Sequence, residues 1–560
     1  MSELLSDMHV LVLDCQASGA SPAYGDLLEL GWARCAPEAL ADEPRNHWVL
    51  PRSERRVARA VRELTGWSEA CLADALPEQE VWQALSGQIA ALSSTASATA
   101  PTVIHYARFE LPFLRDLHGR LEPERAFPLD VLCVHEVAAR LFPELPRRNI
   151  RALAGHLGHS TELLRRTAGH VQATAFIWRA LVPLLAERGI HTWSELRAWL
   201  GSSARPARPA RRRYPLSPAL RRALPDRPGV YRFVRRNHDV LYVGKAASLK
   251  ARVASHFAGH ARANERSLEM LTQVADIDYT ETASVLEAAL LECDEIKRID
   301  PPYNIHLRST GRSTWFAASD LRDASATPDA THHIGPLPSR LAGAPLAALR
   351  ELARGEHSRG ARAWALGVPG SNLPEDALFR EGFALFAGEH LAPDDDGVER
   401  RIDRAARSLW LARGRSEPET SSEDLPPDGW DLARVRRRLE RNLVQAGLVL
   451  RRARFLCLLA DADVIFRESK MAAARLLVLA AGKVEARHEL PTLAELATFS
   501  PRKPPALQRR QASLDIAAYD RLRVLATELR RIQDEGGEVS VRIGRHTFAG
   551  ARFAQLTREL

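Results

Sequence analysis

Residues 227–257 read RPGVYRFVRRNHDVLYVGKAASLKARVASHF, and this stretch decides the fold of the middle of the chain. Apolar and β-branched residues surround Tyr231 and again surround Tyr242, which predicts two short strands. Between the two strands, Asn237 and His238 form a polar pair that is typical of a turn. The stretch therefore predicts a β-hairpin in which each strand carries a tyrosine.

Two helices follow this hairpin in the sequence pattern. In the first, SLKARVASHF, Arg252 and His256 are four residues apart and share one face of the helix. In the second, VLEAALLECDEIK, Glu292 lies in an apolar context, where a carboxylate is costly unless it has a partner. Taken singly, these residues and the two tyrosines are ordinary surface or cross-strand residues, but their joint spacing indicates a functional site.

These positions resemble the GIY-YIG nuclease family, and most closely the nuclease module of the UvrC excinuclease subunit and its shorter relative Cho. Residues 229–231 match the first signature triplet of the family, and residues 242–244 match the second. The polar positions that follow at the family spacing are Lys245, Arg252, His256, Glu292 and the triplet at 302–304. The resemblance implies a small α/β nuclease domain over residues 224–308.

The resemblance also implies that this domain hydrolyses a DNA phosphodiester with one divalent cation. Such a reaction needs a nucleophilic water and neutralisation of charge on the phosphate and the leaving oxygen. Glu292 would hold Mg²⁺ or Mn²⁺, hard cations that prefer oxygen ligands, and Arg252 would pair with the scissile phosphate. Tyr231 would orient or deprotonate the water, with Tyr242 beside it, and His256 would hydrogen-bond a tyrosine or the phosphate. The expected DNA contacts in this domain are Lys245 and Asn304.

Residues 1–190 predict a separate α/β domain. HVLVLDCQASG reads as a buried strand, DLLELGWARC as its hairpin partner, and TVIHYARFELPFL as a strand followed by a helix. Residues 14–19, 105–110 and 165–175 resemble, in that order, the three motifs of the DEDDh (DnaQ-like) 3′–5′ exonucleases. This resemblance implies an RNase H-like fold for the domain.

The exonuclease-like motifs depart from the family at the positions that matter for metal binding. The family holds two metal ions with four carboxylates and activates water with a histidine. This chain keeps Asp14 and has Glu110 in place of an aspartate. Gln16 stands where a glutamate is expected, Arg165 where the histidine is expected, and His170 where the last aspartate is expected. Because this loss of negative charge leaves two divalent cations uncompensated, we expect an inactive domain that is either structural or holds a single-stranded end.

Two further regions complete the predicted organisation. Residues 191–223 form a basic linker rich in proline and alanine, where Arg211, Arg212 and Arg213 lie in a stretch without carboxylates. This linker is either a spacer or a strap that contacts phosphate. Residues 309–560 predict an α+β region of unclear role, in which RARFLCLLADADVIFRE and ARLLVLAAGKVEARHEL read as strands. Within it, HHIGPLPSRLAG resembles a stretch that follows the nuclease module in UvrC-like proteins.

The composition of the chain narrows the classes of partner that it is expected to bind. Its 560 residues carry a net charge of +8, which favours DNA, because binding releases the counterions condensed on phosphate. No apolar run is long enough to span a membrane, and no basic region precedes the first apolar run, as it would in a signal peptide. Six cysteines form no paired motif. We expect a cytoplasmic protein with reduced thiols, no membrane association and no small-molecule cofactor.

Three functions are compatible with these patterns. The first is a metal-dependent DNA endonuclease that makes a single incision in nucleotide excision-type repair, together with damage-recognition proteins. The second is a proofreading-type 3′–5′ exonuclease with an accessory GIY-YIG domain, which the substituted exonuclease motifs oppose. The third is a non-catalytic DNA-binding protein, which the joint presence of Tyr231, Arg252 and Glu292 opposes. The sequence favours the first.

Overall fold

A computed structural model of the chain contains two compact units. The first unit comprises residues 1–227, 231–280 and 301–304, and the second comprises residues 228–230, 281–300 and 305–560. The structure describes residues 3–53, 56–92, 99–160, 164–202, 213–258, 264–309, 311–391, 397–413, 429–469, 471–491, 499, 505–506, 511 and 514–558.

A five-stranded mixed sheet forms the centre of the amino-terminal part of the first unit. Its strands are β1 (Val10–Ala17), β2 (Leu27–Cys35), β3 (Arg45–Trp48), β4 (Ala100–Ile104) and β5 (Leu129–Cys133), in the order β3-β2-β1-β4-β5. β1 pairs antiparallel with β2, as the sequence predicts, and parallel with β4. Every residue of β1 is buried, because alternate side chains of the strand enter apolar clusters on the two faces of the sheet.

Helices pack on both faces of this sheet. They are α1 (Arg59–Thr65), α2 (Glu78–Leu92), α3 (Ala107–Leu121), α4 (Val134–Leu141), α5 (Ile150–His156), α6 (Thr167–Ala186) and α7 (Trp193–Gly201), with a short 3-10 helix at Glu69–Asp74. The apolar side of α6 contributes Val171, Ile177 and Leu181 to one cluster, whereas α3 contributes Phe113 and Leu114 to the other. The mixed α/β architecture expected of this part is confirmed.

The predicted hairpin lies in a three-stranded sheet. After α8 (Pro218–Ala223) come β6 (Gly229–Val234), β7 (Val240–Ala246), α9 (Leu249–His256), α10 (Glu265–Gln273), β8 (Asp276–Glu281) and α11 (Val285–Ile299), with the strands in the order β7-β6-β8. His238 adopts a φ of 69°, a left-handed conformation that lets the chain reverse between β6 and β7. The Ser248 hydroxyl accepts a hydrogen bond from the backbone N–H of Ala251 and so starts α9.

The second unit contains two further sheets and a group of helices. The small sheet has the order β10-β9-β11 and comprises β9 (Trp315–Ala317), β10 (Ala324–Ser325) and β11 (Ile334–Leu337). The helices are α12 (Ala344–Ala353), α13 (Arg359–Leu366), a 3-10 turn at Gly370–Asn372, α14 (Asp376–His390), α15 (Val398–Arg413) and α16 (Leu432–Leu459). An antiparallel sheet of order β14-β13-β12-β15-β16 comprises β12 (Asp463–Arg467), β13 (Ala474–Ala480), β14 (Lys483–Leu490), β15 (Glu538–Ile543) and β16 (His546–Ala549). Two helices, α17 (Ile516–Asp534) and α18 (Gly550–Arg558), accompany it.

One sequence expectation about the second unit is wrong. The segment 452–459, which the sequence favours as the start of a strand, is the end of the 28-residue helix α16, and the strand β12 begins only at Asp463. An apolar run of this length fits a buried helix as well as a buried strand, so periodicity alone does not separate the two. The predicted strands β13 and β14 are present.

The described helices do not include one that combines the length and the hydropathy needed to cross a bilayer.

Candidate active site

The two tyrosines of the hairpin face the same small cluster. Tyr231 on β6 is fully buried, and its ring centroid lies 6.1 Å from that of Tyr242 on β7. The Tyr231 hydroxyl is 2.7 Å from Nε2 of His256, the last residue of α9. The hydrogen bond to a tyrosine that the sequence suggested for His256 is therefore present. The hairpin and α9 together hold a phenol and an imidazole in contact.

Arg252 contributes a positive charge to this cluster. The electrostatic attraction of Tyr231, together with hydrogen bonds to Tyr231 and Tyr242, raises the pKa of Arg252. Burial and the nearby Arg252 charge lower the pKa of His256 to about 4. His256 is therefore neutral near pH 7, and its Nε2 lies within hydrogen-bond distance of the Tyr231 hydroxyl. The arrangement places the permanent positive charge of Arg252 beside the hydroxyl oxygens of Tyr231 and Tyr242. With its lowered pKa, His256 is only a weak base.

Glycine is the only residue type that fits at position 244, beside Tyr231. A Cβ atom at residue 244 would lie 2.5 Å from the Tyr231 hydroxyl oxygen and 2.7 Å from a ring carbon of Tyr242. Both distances are below any ordinary van der Waals contact. The glycine of the second triplet thus makes room for the Tyr231 hydroxyl, which gives a physical reason for this part of the motif.

Asn304 and Tyr303 position the hairpin through hydrogen bonds to the backbone of β7. The Asn304 side chain accepts from the Val243 backbone N–H at 3.0 Å and donates to the Val243 carbonyl at 2.9 Å. Because Asn304 is only 6% exposed and both ends of its amide are engaged, the geometry favours a positioning role over the DNA contact expected from the sequence. Tyr303 is also buried, and burial together with Glu269 raises its pKa, so it stays protonated. Lys245, the other expected DNA contact, is half-buried near the end of β7.

Glu292 lies in the middle of α11, in the second unit, and is half-buried. Ion pairs anchor the same helix within that unit. Asp294 is 2.6 Å from the Arg521 guanidinium, and the Lys297 ammonium is 2.6 Å from Asp520, with both partners on α17. Asp520 is fully buried, so its pairing with Lys297 fixes α11 more firmly than a surface ion pair would. α11 therefore presents Glu292 from a rigid support.

A second set of predicted residues lines a cleft of about 780 Å³ in the first unit. Asp14 and Gln16 come from β1, Glu110 from α3 and His170 from α6. Nδ1 of His170 is 3.0 Å from a carboxylate oxygen of Asp14. Burial alone would lower the pKa of His170, but the charge of Asp14 and the hydrogen bond outweigh burial and raise it. The imidazole of His170 therefore already pairs with Asp14 inside the cleft.

The other substituted positions of the cleft also make protein contacts. Gln16 donates its amide to the backbone carbonyl of Arg165, whose side chain is exposed. Glu110 accepts from the Cys15 backbone N–H at 3.2 Å, and burial together with the charge of Asp14 raises its pKa well above the usual range. Arg165 is not among the described residues that line the cleft. The structure thus brings together four of the five predicted exonuclease-motif residues and leaves the Arg165 side chain outside that set.

One residue that the sequence did not indicate links the cleft to the hairpin. Glu269 of α10 lines the cleft, accepts from the Asn149 amide at 2.7 Å and accepts from the Tyr303 hydroxyl at 2.6 Å. Tyr303 precedes Asn304, which clamps the Val243 backbone. The aromatic and basic residues that line the cleft include Tyr106, Phe109, His135, Arg147, Arg148 and Arg151. No local signal marks Glu269, because its partners are 120 and 34 residues away along the chain.

The arginines predicted to contact DNA from the linker are only partly described. Arg211 and Arg212 lie outside the described residues. Arg213 is exposed, and its backbone N–H donates to the Glu144 carbonyl at 3.2 Å. That contact joins the carboxyl end of the linker to the amino-terminal part of the first unit.

Within the described part of the chain, one trio of side chains has the spacing of a metal site. His390 Nε2 is 3.0 Å from Glu440 and 3.9 Å from Glu389. The Arg436 guanidinium lies 2.7 Å from Glu389 and 3.5 Å from Glu440. Because Arg436 already pairs with both carboxylates, this trio belongs to an ion-pair network between α14 and α16.

Comparison with known protein families identifies the domain that contains the hairpin and its helices. Residues 227–305 match the family model of the UvrC-like GIY-YIG domain. This match confirms the resemblance to the GIY-YIG family, which rests on the triplets at 229–231 and 242–244 and on the polar positions after them.

Two curated relatives extend the comparison to particular proteins. A Mycobacterium tuberculosis (strain CDC 1551 / Oshkosh) protein named "Putative bifunctional exonuclease/endonuclease protein" is 33% identical over 253 residues, which cover 44% of this chain and 38% of the relative. The UvrABC system protein C of Alkalilimnicola ehrlichii is 47% identical over 105 residues, or 19% of this chain and 17% of the relative. The chain therefore spans well under half the length of these relatives.

Solved structures match both predicted nuclease-like parts. The GIY-YIG endonuclease domain of Thermotoga maritima UvrC, bound to its catalytic magnesium, is 26% identical, covering 16% of this chain and 93% of that one with a TM-score of 0.14. The nuclease domain of 3′hExo, a DEDDh family member bound to rAMP, is 12% identical, covering 33% of this chain and 94% of that one with a TM-score of 0.27. The fold is a mixed α/β one that contains a UvrC-like GIY-YIG domain at residues 227–305.

Proposed function

We propose that the chain is a metal-dependent DNA endonuclease whose cutting site is in the GIY-YIG domain. The observation that carries the proposal is the contact of Tyr231 with His256 and Arg252. It supplies an oriented phenol and a permanent cation from the signature positions of the family matched at 227–305. An ordinary structural hairpin does not need a glycine held against a tyrosine hydroxyl.

Each residue has a distinct role in the proposed reaction. In the tautomer in which neutral His256 accepts a hydrogen bond from the Tyr231 hydroxyl, the Tyr231 oxygen has a free lone pair that can accept from and orient the attacking water. Arg252 pairs with the scissile phosphate and stabilises the charge that grows on its oxygens. Tyr242 shares the interaction with Arg252 and keeps the guanidinium in place. Asn304 and Tyr303 act through the backbone of β7.

Glu292 is the proposed ligand of the divalent cation. Its carboxylate is the donor type that suits Mg²⁺ or Mn²⁺, which keep much of their hydration shell and need few protein ligands. The magnesium of the Thermotoga maritima UvrC domain supports this choice. When bound, the cation supplies charge neutralisation at the leaving oxygen. Lys245 and the linker arginines at 211–213 supply further phosphate contacts in this proposal.

We propose that the exonuclease-like part does not cut. The pairing of His170 with Asp14 supports this, because the imidazole lies within hydrogen-bond distance of the carboxylate that a metal ion would need as a ligand. The cleft beside it, lined by aromatic rings and arginines, instead suits a single-stranded end that is held without hydrolysis. The proofreading-type exonuclease remains the second candidate, supported by the relative that carries both activities in its name.

The biological setting that we propose is nucleotide excision-type repair, in which the enzyme makes one incision near a lesion in concert with damage-recognition proteins. The UvrC-type relatives support this setting. Purified protein with Mg²⁺ should nick a supercoiled plasmid or a lesion-containing duplex, and EDTA should stop the reaction. Release of mononucleotides from an end-labelled single strand, without any nicking of closed circular DNA, would favour the second candidate instead.

A further inference from the structure

The helix α11 packs into the apolar core of the second unit. Leu286 and Leu290 of this helix are buried in the same cluster as Leu522 and Leu525 of α17. In the sequence, α17 lies far beyond residue 305, where the match to the GIY-YIG family ends. A helix of the nuclease domain is therefore supported by a part of the chain that the family match does not include.

A buried carboxylate joins α11 to α17. Asp520 is fully buried, and one of its oxygens lies 2.6 Å from the Lys297 ammonium. The Arg312 guanidinium donates to both oxygens of Asp520, at 2.7 and 2.8 Å. Burial alone would raise the pKa of Asp520, but the hydrogen bonds with Arg312 and Lys297 outweigh burial and lower it. The carboxylate is therefore ionised near neutral pH, and a buried pair of this kind is costly to break, because the remaining charge loses its partner.

The amino end of α11 is also fixed within the second unit. The Glu468 carboxylate accepts a hydrogen bond from the backbone N–H of Leu286 at 3.2 Å, in the first turn of the helix, where a negative charge is favourable. Arg475 on β13 lies 3.0 Å from Glu287 in the same turn. Because α11 is held both at its first turn and, through Asp520, at its last turn, rotation about its axis is opposed at both ends.

The anchored residues lie on the opposite side of α11 from Glu292. In an α-helix, each residue is rotated by about 100° from the one before it. Leu290, Asp294 and Lys297 are therefore rotated by roughly 140–200° from Glu292 around the helix axis. Contacts on one side of the helix thus set the direction in which the carboxylate on the other side points.

We propose that Asp520 is a positioning residue for the divalent cation of the endonuclease. By pairing with Lys297, it fixes the rotation of α11 and so holds the Glu292 carboxylate in the orientation that the cation requires. A metal ion with few protein ligands depends on the orientation of each one, which groups beyond the ligands supply. The proposal rests on the assignment of Glu292 as the metal ligand, and it gives the region around α17 a role in cleavage.

The test measures Mn²⁺ binding by the full chain and its variants. Electron paramagnetic resonance reports the concentration of free Mn²⁺, so the bound fraction follows from a titration. The difference between wild type and Glu292→Gln defines the binding that depends on the proposed ligand. DNA affinity and single-turnover nicking are measured on the same proteins over a range of Mn²⁺ concentrations.

Two variants break the pair that holds α11, and a third is the matched control. Lys297→Met removes the charge from α11, keeps an apolar stem and leaves Asp520 paired with Arg312. Asp520→Asn removes the charge from α17 and decides the result if Lys297→Met does not fold. The control, Arg542→Met, breaks another buried ion pair of the second unit, in which Arg542 on β15 lies 2.8 Å from Asp463 on β12.

Lys297→Met and Asp520→Asn should bind the Glu292-dependent Mn²⁺ roughly 10-fold more weakly than wild type. Their nicking should be slow at low Mn²⁺ and approach the wild-type rate as Mn²⁺ is raised, with unchanged DNA affinity. Arg542→Met should keep the wild-type Mn²⁺ affinity although its melting temperature falls.

Wild-type Mn²⁺ affinity in the folded Lys297→Met or Asp520→Asn protein would overturn the positioning role, and so would an equal loss of affinity in Arg542→Met. Both results leave Glu292 as the metal ligand. A wild-type protein without any Glu292-dependent Mn²⁺ binding would instead overturn the metal site itself, and the role of Asp520 with it.

Discussion

Arg252 and the two tyrosines illustrate how far single residues could be predicted. Their sequence spacing was enough to bring them together, and the structure adds the contact between His256 and Tyr231. The pairing of His170 with Asp14 could not be predicted, because it joins residues 156 positions apart and replaces a family contact with a different one. Contacts of this kind depend on tertiary structure, which local pattern does not report.

Replacing Arg252 with alanine should remove most DNA cleavage. If the guanidinium stabilises the transition-state phosphate, its loss costs roughly 2–4 kcal/mol, or about 30- to 1,000-fold in rate. Arg252→Lys should recover only part of the rate, because an ammonium keeps the charge but lacks the planar fork. Lys250→Ala, an exposed cation of the same helix, is the control and should cut at the wild-type rate. Single-turnover nicking measures all three, and a wild-type rate in Arg252→Ala would contradict the assigned role.

Adding a single methyl group at Gly244 should disturb the same site. The new Cβ would meet the Tyr231 hydroxyl at 2.5 Å, so the tyrosine must move away from His256. We expect Gly244→Ala to lower the unfolding free energy by about 1–3 kcal/mol, as overpacking does, and to reduce nicking. Gly119→Ala, in a helix with open space around the glycine, should not lower stability. Chemical denaturation with both variants tests this, and an equally stable, active Gly244→Ala would contradict it.

At the scale of elements, strands and helices with a clear pattern were predictable. β1, β2 and the β6–β7 hairpin follow from alternation and turn residues, and α9 follows from its polar spacing. The sequence favours a strand at the carboxyl end of α16, because Phe455, Leu456 and Leu459 form one apolar run. In the structure this run is buried in the core of the second unit. The run is helical because it continues the long helix that begins at Leu432. A short stretch of sequence does not reveal the length of that helix.

Buried histidines near the ends of elements should make the first unit sensitive to acid. Burial lowers the pKa of His105 to about 3 and that of His156 and His256 to about 4. An unfolded histidine has a pKa of about 6.5, so between about pH 6.5 and 4 the unfolded chain binds more protons than the folded one. Stability should therefore be unaffected by these groups above pH 6.5 and should fall as the pH drops toward 4.

Thermal unfolding at pH 7 and pH 5 measures this effect. The wild-type melting temperature should be lower at pH 5, and His156→Gln should reduce the difference between the two pH values. His191→Gln, at an exposed position of the same unit, should leave the difference unchanged. A pH dependence that is identical in all three proteins would show that buried histidines do not cause it.

At the scale of the whole molecule, the sequence indicated the order of the parts but not what joins them. The hydrogen bonds of Glu269 with Asn149 and Tyr303 connect the exonuclease-like cleft to the hairpin inside one compact unit. These contacts join segments that are far apart in the sequence, so no local pattern reports them.

The full chain should not release nucleotides from a 3′ end. We expect the Glu292→Gln protein, with Mg²⁺ or Mn²⁺, to leave an end-labelled single strand intact, because His170 already pairs with Asp14. Restoring Gln16→Glu, Arg165→His and His170→Asp together should recover activity that no single reversion recovers, since such a site works as a unit. Mononucleotide release by the unrestored protein, abolished by Asp14→Ala, would instead make the protein both an exonuclease and an endonuclease.

The measurement that tests the central claim most directly is plasmid nicking by Glu292→Gln beside wild type at saturating Mg²⁺. Asp294→Asn is the matched control, because it removes the same charge from the same helix at a residue paired with Arg521. We predict that wild type and Asp294→Asn nick the plasmid, and that Glu292→Gln binds DNA with wild-type affinity but leaves the plasmid closed. Nicking by Glu292→Gln at the wild-type rate would contradict the assignment of the metal ligand and, with it, of the cutting site.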